Sequence, residues 1–222
     1  MELYEAMRTT HAVRDFTDDP LSDEVLARIL DNARFAPSGG NRQGAHVVVV
    51  RSQATRERLV ELSATGARRY LAQQAAGEMP WNTIHPSAVT GEQIAATRVP
   101  RAMTEPLRTA AVVLVFLVDL GVVASIDSEL DRVGVVSGAS VYPLVWNTLL
   151  AAREEGFGGV ITTMAVAEEP ALLDLLGAPA GYAVAAVVPL GKPVKQLTRL
   201  SRQPVADFVT LETYAGTPLT DD

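Results

Sequence analysis

The chain has 222 residues, 48% hydrophobic and 20% charged, with 26 acidic against 19 basic residues, a net charge of −7 and no cysteine. One domain of this length buries roughly 70% of its unfolded surface and needs no disulfide or structural metal, and without cysteine there is no thiolate metal site, iron–sulfur cluster or cysteine nucleophile. The acidic balance opposes a general nucleic-acid binder, and His11, His46 and His85 form no helical pair that would hold a metal.

The first residues, MELYEAMRTT, carry two glutamates and no apolar core of a secretory signal. The longest apolar run, residues 110–118, falls far short of the ~20 residues that span a bilayer. The expectation is a soluble, cytoplasmic protein with no membrane partner.

Residues 2–9 read as a short amphipathic helix through Leu3, Ala6 and Met7. After the Asp18-Asp19-Pro20 turn, Ser22 is an N-cap, and Val25, Leu26, Ile29, Leu30 and Ala33 share one helical face until Pro37. The valine-rich run 46–50 suits a buried strand, and a helix over about 55–63 should follow it. Periodicity then fades between residues 70 and 107, where four prolines, Trp81 and His85 lie among scattered charges; we read this stretch as a lid over a site.

Residues 110–118 are a second buried strand, and 128–155 read as one long helix, apolar around most of its circumference, kinked or split near Ser140 by Pro143 and closed by Gly156. Residues 159–163 are short and β-like, Pro170 opens a helix that Gly177 closes, and 182–190 form a third apolar strand. Helices interleave with strands without a repeat, so the class is α+β or α/β around one sheet in a single domain, 1–222.

Walker loop, nucleophile elbow and H-E-x-x-H are all missing, and GFGGVI lacks the last glycine of a dinucleotide fingerprint. Three segments remain. In His11-Ala12-Val13-Arg14-Asp15-Phe16 a guanidinium beside a helix end can bind phosphate, though exposed arginines near turns are common. In Ala36-Pro37-Ser38-Gly39-Gly40-Asn41-Arg42-Gln43 the glycines permit close approach to a flat ligand, and the composition reads equally as a turn. Gly156-Phe157-Gly158-Gly159-Val160-Ile161-Thr162-Thr163 combines a strand with glycines that can equally mark tight packing; Arg199 and Arg202 follow downstream.

Together and in this order the three segments resemble the nitroreductase family of FMN-dependent oxidoreductases, from residue 3 to about residue 207. Arg14-Asp15-Phe16 matches the end of the family's phosphate segment, which makes Arg14 the first FMN-phosphate ligand. The arginine and serine usual before it are His11 and Ala12 here, so the contacts implied at His11, Ala12 and Val13 are those of the backbone. The proline–serine loop supplies Pro37, Ser38, Gly39 and Asn41 as flavin neighbours, although the proline–tryptophan that usually follows is Gly44-Ala45. Ile161, Thr162 and Thr163 match threonine-bearing positions along the flavin in the dehalogenating branch, and Ser201-Arg202-Gln203-Pro204 resembles a late basic segment that makes Arg202 a second phosphate ligand. ASVYPLVWN, with LLAAREEGFGG after it, resembles the family's dimer-interface helix.

The resemblance implies a central mixed, mainly antiparallel sheet flanked by helices, in an interlocked homodimer with FMN at the subunit interface. It also implies hydride transfer from NADH or NADPH to flavin N5 and then to nitroaromatic or quinone-type acceptors in ping-pong turnover, with no catalytic side chain. Arg42, Arg68 or Arg69 are candidates for positive charge near N1, and Trp81, His85 and Met103 in the lid for acceptor contact. Reductive dehalogenation, dehydrogenation of a metabolite, or flavin binding without turnover are the alternatives.

Overall fold

The computed structural model describes residues 1–220. Its centre is a four-stranded sheet made of β1 (Ala45–Val50), β2 (Val112–Asp119), β3 (Gly158–Gly159) and β4 (Tyr182–Gly191), in the order β1-β2-β4-β3. Every ladder is antiparallel, and one isolated parallel bridge, Ala12 to Gly159, lays the N-terminal segment beside β3. The four-stranded sheet itself is antiparallel throughout, so the expected mainly antiparallel sheet is found, and parallel pairing is limited to that isolated bridge rather than making the sheet mixed.

β2 reads as an unbroken apolar run because both its faces are covered. Val112, Leu114, Phe116 and Val118 point to one side, where they meet Leu26 and Ile29 of α2 (Asp23–Ala33) and Val145, Leu149 and Ala152 of α6 (Tyr142–Glu154). Val113, Val115 and Leu117 point to the other, against Leu59, Val60 and Leu62 of α3 (Gln53–Ala75), Leu107 of α5 (Glu105–Thr109) and Leu172 of α7 (Glu169–Leu176). A strand's period of two sorts these residues without any polar interruption. The β2–β4 register slips between Phe116 and Leu117, which leaves Ala185 out of the ladder, and its carbonyl accepts the Tyr142 hydroxyl at 3.0 Å.

The remaining helices are α1 (Leu3–Thr9) and α4 (Gly91–Ala96). Ser22 caps α2 as expected, its Oγ accepting from the Val25 N–H, and Gly177 ends α7 at φ +62°.

Two expectations are corrected. The helix after β1 does not stop at residue 63: α3 continues to Ala75, because residues 64–75 keep Gly66, Ala67, Ala72 and Gln73 buried, small and polar residues that show no apolar period. Of the helix expected over 128–155, only the part beyond the expected break near Ser140 is α-helical, Tyr142–Glu154, and the part before it is not. The Asp127 carboxylate takes the N–H groups of Val135 at 2.7 Å and Val136 at 3.3 Å and the Arg132 guanidinium at 2.8 Å, folding residues 127–136 into a loop. A 3-10 turn, Val136–Ser140, follows, and Pro143 falls in the first turn of α6, where a missing N–H costs nothing. Within the expected irregular stretch, Thr90 and Gln93 form a reciprocal capping box that starts α4.

Candidate functional site

The N-terminal segment is threaded along the β3 edge. Val13 N–H donates to the Gly159 carbonyl at 3.0 Å, Val194 N–H to Asp15 at 3.0 Å and Thr17 N–H to Lys192 at 2.9 Å. Glycine makes the approach feasible: a Cβ on Gly158 would come within 2.7 Å of Val13 Cγ2, and one on Gly191 within 2.8 Å of Phe16 Cδ1. Val13 is buried in this extended segment and Arg14, its neighbour, is exposed, as alternation requires.

Thr162 exchanges two hydrogen bonds with Val187, both 2.9 Å, which fixes residues 161–163 against β4. The chain then makes a 3-10 turn, Met164–Glu168, pressed against Gly66 of α3, and one helical turn beyond Gly66 stands Tyr70. These elements enclose a cavity of about 360 Å³ walled by Arg14, Tyr70, Met103, Val160 to Met164 and Pro189. Tyr70, Thr163 and Met164 also line an adjoining cavity of about 430 Å³ that ends at Pro80 and Trp81. Arg14 lines a third hollow of about 290 Å³ with His11, Ala12, Val13, Asp15 and Lys195. Shared lining residues join the three hollows from Lys195 past Arg14 to Trp81, with Arg14, Lys195 and Asp15 at the charged end and apolar residues at the other.

Among the described residues neither Arg14 nor Lys195 is in a salt bridge. Two uncommitted cations beside a cavity suit an anionic group, while flat apolar walls beyond suit a ring system.

Of the residues singled out in the sequence, Arg14, Ile161, Thr162, Thr163 and Met103 share the first cavity, Trp81 lines the adjoining one, and His11, Ala12 and Val13 lie in the hollow around Arg14. Arg202 lines a neighbouring concavity with Arg8 and Arg199. Gln196 stands near the boundary, its Nε2 donating to the Thr9 carbonyl at 2.9 Å and lying 3.4 Å from His11 Nδ1. His85 is exposed, its N–H held by Asn82 Oδ1 at 2.6 Å, and it lines none of these cavities. Arg69 stacks on Trp81, and Arg42 donates to the Val122 carbonyl.

Pro37, Ser38, Gly39 and Asn41 lie elsewhere. Their loop carries Gly40, Asn41 and Gln43 at positive φ, held by Ser38 Oγ, which accepts from Gln43 N–H, and by Gly39 N–H, which donates to Ser140 Oγ at 3.1 Å. Gly44 accepts from Asp119 N–H at 2.8 Å, which ties the loop to the Asp119 end of β2 on the β1 edge. Arg14 belongs to the Val112 end on the β3 edge. At ~3.3 Å per residue along β2 and ~4.8 Å per strand across the sheet, the two groups are separated by roughly 23 Å in one direction and about 19 Å in the other.

Sequence reasoning overlooked Tyr70, Met164 and Lys195 as lining residues. Tyr70 carries a readable signal, four positions after Gly66 in the interior of α3; Met164 and Lys195 carry none.

The sequence profile of the Nitroreductase family matches residues 7–192. A Streptomyces griseus protein provisionally named NADH dehydrogenase/NAD(P)H nitroreductase is 41% identical over 61 residues, 28% of this chain and 31% of that protein. The matched stretch thus spans about a third of that relative's length. Two solved structures share the fold. A BluB-like flavoprotein from Clostridium difficile superposes with a TM-score of 0.70 at 20% identity, over 96% of this chain and all of that one. NADPH:FMN oxidoreductase from Vibrio harveyi, complexed with NAD+, superposes with a TM-score of 0.66 at 22% identity, over 95% and 77% of the two chains. Among the described residues no helix is long and apolar enough to cross a membrane.

Proposed function

Because the chain belongs to the Nitroreductase family, we propose that it is an FMN-dependent oxidoreductase that takes hydride from NADH or NADPH and reduces nitroaromatic or quinone-type acceptors. The observation that carries this reading is the cleft of joined hollows with Arg14 and Lys195 at one end and the Ile161, Thr162, Thr163 and Met164 wall facing Tyr70 at the other. That donor set fits FMN: paired cations and the 11–14 backbone for a phosphate dianion, an apolar slot for a flat ring system. The names of similar proteins support it as well, NAD(P)H nitroreductase for the Streptomyces griseus relative and NADPH:FMN oxidoreductase for the Vibrio harveyi protein that shares the fold.

In this reading Arg14 holds the phosphate end with Lys195, and Arg202 adds positive potential from the adjoining concavity. Ile161, Thr162 and Thr163 line the ring, their backbone held in place by the Thr162–Val187 pair. Bound FMN supplies the hydride-accepting and hydride-donating chemistry. The protein binds, orients and excludes water, with Val160, Pro189, Pro106 and Leu107 forming the dry walls. With no separate dinucleotide fold among the described residues, the nicotinamide and the acceptor use one cleft in turn, which gives ping-pong kinetics. Residues 70–107 of the single domain 1–222 act as its lid, contributing Tyr70, Pro80, Trp81, Ala102, Met103, Pro106 and Leu107 to the walls.

One chain cannot put both Arg14 and Asn41 on the same flavin, since they occupy opposite corners of the sheet. The loop bearing Pro37, Ser38, Gly39 and Asn41 therefore completes the site of a second copy, in a homodimer with two flavins at its interface.

The test is a visible absorption spectrum of the purified protein, repeated after anaerobic addition of NADH and of NADPH. Flavin bands that bleach with either nucleotide are the expected result. A colourless protein that cannot be reconstituted with FMN would overturn the reading, and a flavin that never bleaches would make it a flavin-binding protein without this turnover.

A further inference from the structure

The chain leaving α3 is tied back to it through one residue. Gln73, 2% exposed, accepts the Glu78 N–H on its carbonyl at 2.9 Å and the Trp81 N–H on its Oε1 at 3.1 Å. The Glu78 carboxylate then accepts from Ser87 Oγ at 2.6 Å and Ala88 N–H at 2.7 Å, and Asn82 Oδ1 accepts from the Ile84 and His85 N–H groups. Within this set of bonds Trp81 sits at φ +58°, a left-handed conformation that is costly for a bulky aromatic residue. The Arg69 guanidinium, 4.2 Å from the ring centroid, closes one face of the indole.

The outcome of that strained placement is that Trp81, still 41% exposed, walls the 430 Å³ cavity with Tyr70, Pro80, Thr163, Met164, Val166 and Ala167. No carboxylate, guanidinium or ammonium lines it. It opens onto the Arg14 cavity along Tyr70, Thr163 and Met164. A charged group drawn into such walls would lose hydration and meet no charged lining residue, the nearby Arg69 guanidinium being already engaged on the indole, whereas a flat neutral ring gains aromatic contacts from indole and phenol.

Resting on the flavoreductase reading, we propose that this cavity is where the electron acceptor binds, that it takes uncharged flat rings and turns away anions and zwitterions, and that Trp81 is its specificity-determining residue. Gln73 acts through Trp81 as a positioning residue.

The experiment pairs 2-methyl-1,4-naphthoquinone with the same ring bearing a sulfonate, titrated into the protein by quenching of tryptophan fluorescence, so that binding is read without turnover. The protein's other tryptophan, Trp146, lies on α6 away from these walls, and Trp81→Phe identifies the share of quenching due to Trp81. The neutral quinone should bind at least about tenfold more tightly than the sulfonate, and Trp81→Gly, whose binding is measured by equilibrium dialysis because the reporting indole is gone, should reduce that ratio by about tenfold. In steady-state assays Trp81→Gly and Gln73→Ala should raise KM for the quinone far more than they lower kcat, with Trp81→Phe restoring most of the loss. Glycine relieves the positive φ, so Trp81→Gly should keep or raise Tm. Equal binding of the two quinones would overturn the ligand class. A lowered Tm with an unaltered quinone-to-sulfonate ratio would make Trp81 a packing anchor and overturn its role. Loss of flavin bleaching with quenching intact would remove the flavoreductase reading and leave the cavity's preference standing.

Discussion

A Cβ on Gly66 would lie 2.3 Å from the backbone oxygen of Met164, so α3 meets the turn after Thr163 at a distance that only glycine allows. Glycine in a helix interior costs about 1 kcal/mol relative to alanine, and here that cost accompanies a close approach that fixes Tyr70 and Met164 on facing sides of the cleft. Gly66→Ala should destabilise the protein by roughly 1–3 kcal/mol, the range for overpacking, visible as a drop of several degrees in Tm, and should loosen FMN. Gly91→Ala, where a Cβ meets nothing within 4 Å, is the control and should leave both unaltered.

Arg14 and Arg202 should respond differently. Arg14 lines the cleft itself, so Arg14→Ala should weaken FMN binding by about 1.5–3 kcal/mol, the range for hydrogen bonds to charged groups. That loss should persist in high salt. Arg202 works from the neighbouring concavity beside Arg8 and Arg199, so the effect of Arg202→Ala should be smaller and should fade as the Debye length shrinks to about 3 Å near 1 M salt. Equilibrium dialysis of FMN at low and high salt measures both; unaltered affinity in both variants would remove the phosphate assignment.

The strands and α2 were legible because their apolar positions follow a period that burial enforces: β2 is apolar throughout since both faces are covered, and Ser22 announces α2 before its apolar stripe begins. The loop at residues 127–136 was not, because Val133, Val135 and Val136 mimic a helical stripe while a single carboxylate, Asp127, diverts the backbone N–H groups of Val135 and Val136. The second half of α3 was hidden by its polar composition, although its buried positions include Gly66, Ala67, Ala72 and Gln73. At the candidate site Arg14 and Thr162 could be named from their segments, but Lys195 and Met164 reach the cleft by tertiary folding alone, and no spacing marks them. The separation of Arg14 from Asn41 is a property of sheet order, which local sequence does not encode.

That separation gives a test of the shared site. If the loop of one copy completes the cleft of another, Arg14→Ala damages the cleft of its own chain and a loop variant damages the partner's. Asn41→Gly is the suitable loop change, because Asn41 sits at φ +53° and glycine removes the side chain without adding backbone strain. Homodimers of either variant should bind FMN weakly at both sites. Hybrid dimers, purified through two different tags after co-expression, should regain one site of normal affinity. A hybrid with two weakened sites would place both residues around the same flavin from one chain.

The Asp127 loop makes a prediction about pH. Its carboxyl is held below the usual aspartate range first by the Val135 N–H and then by the Arg132 guanidinium, while Oδ1 is buried with no partner in the described structure. A value lowered in the folded state means that the ionised form is bound preferentially, so the contribution is complete above the unfolded value of about 3.9 and is lost as pH falls through the folded value. Asp127→Asn keeps an acceptor and the shape but not the charge. Wild type should therefore melt above Asp127→Asn at pH 6, and the gap should close as pH drops below about 4. Thermal unfolding of both proteins from pH 3 to 7 measures it; a gap constant across that range would show that the loop depends on the shape of this side chain and not on its charge.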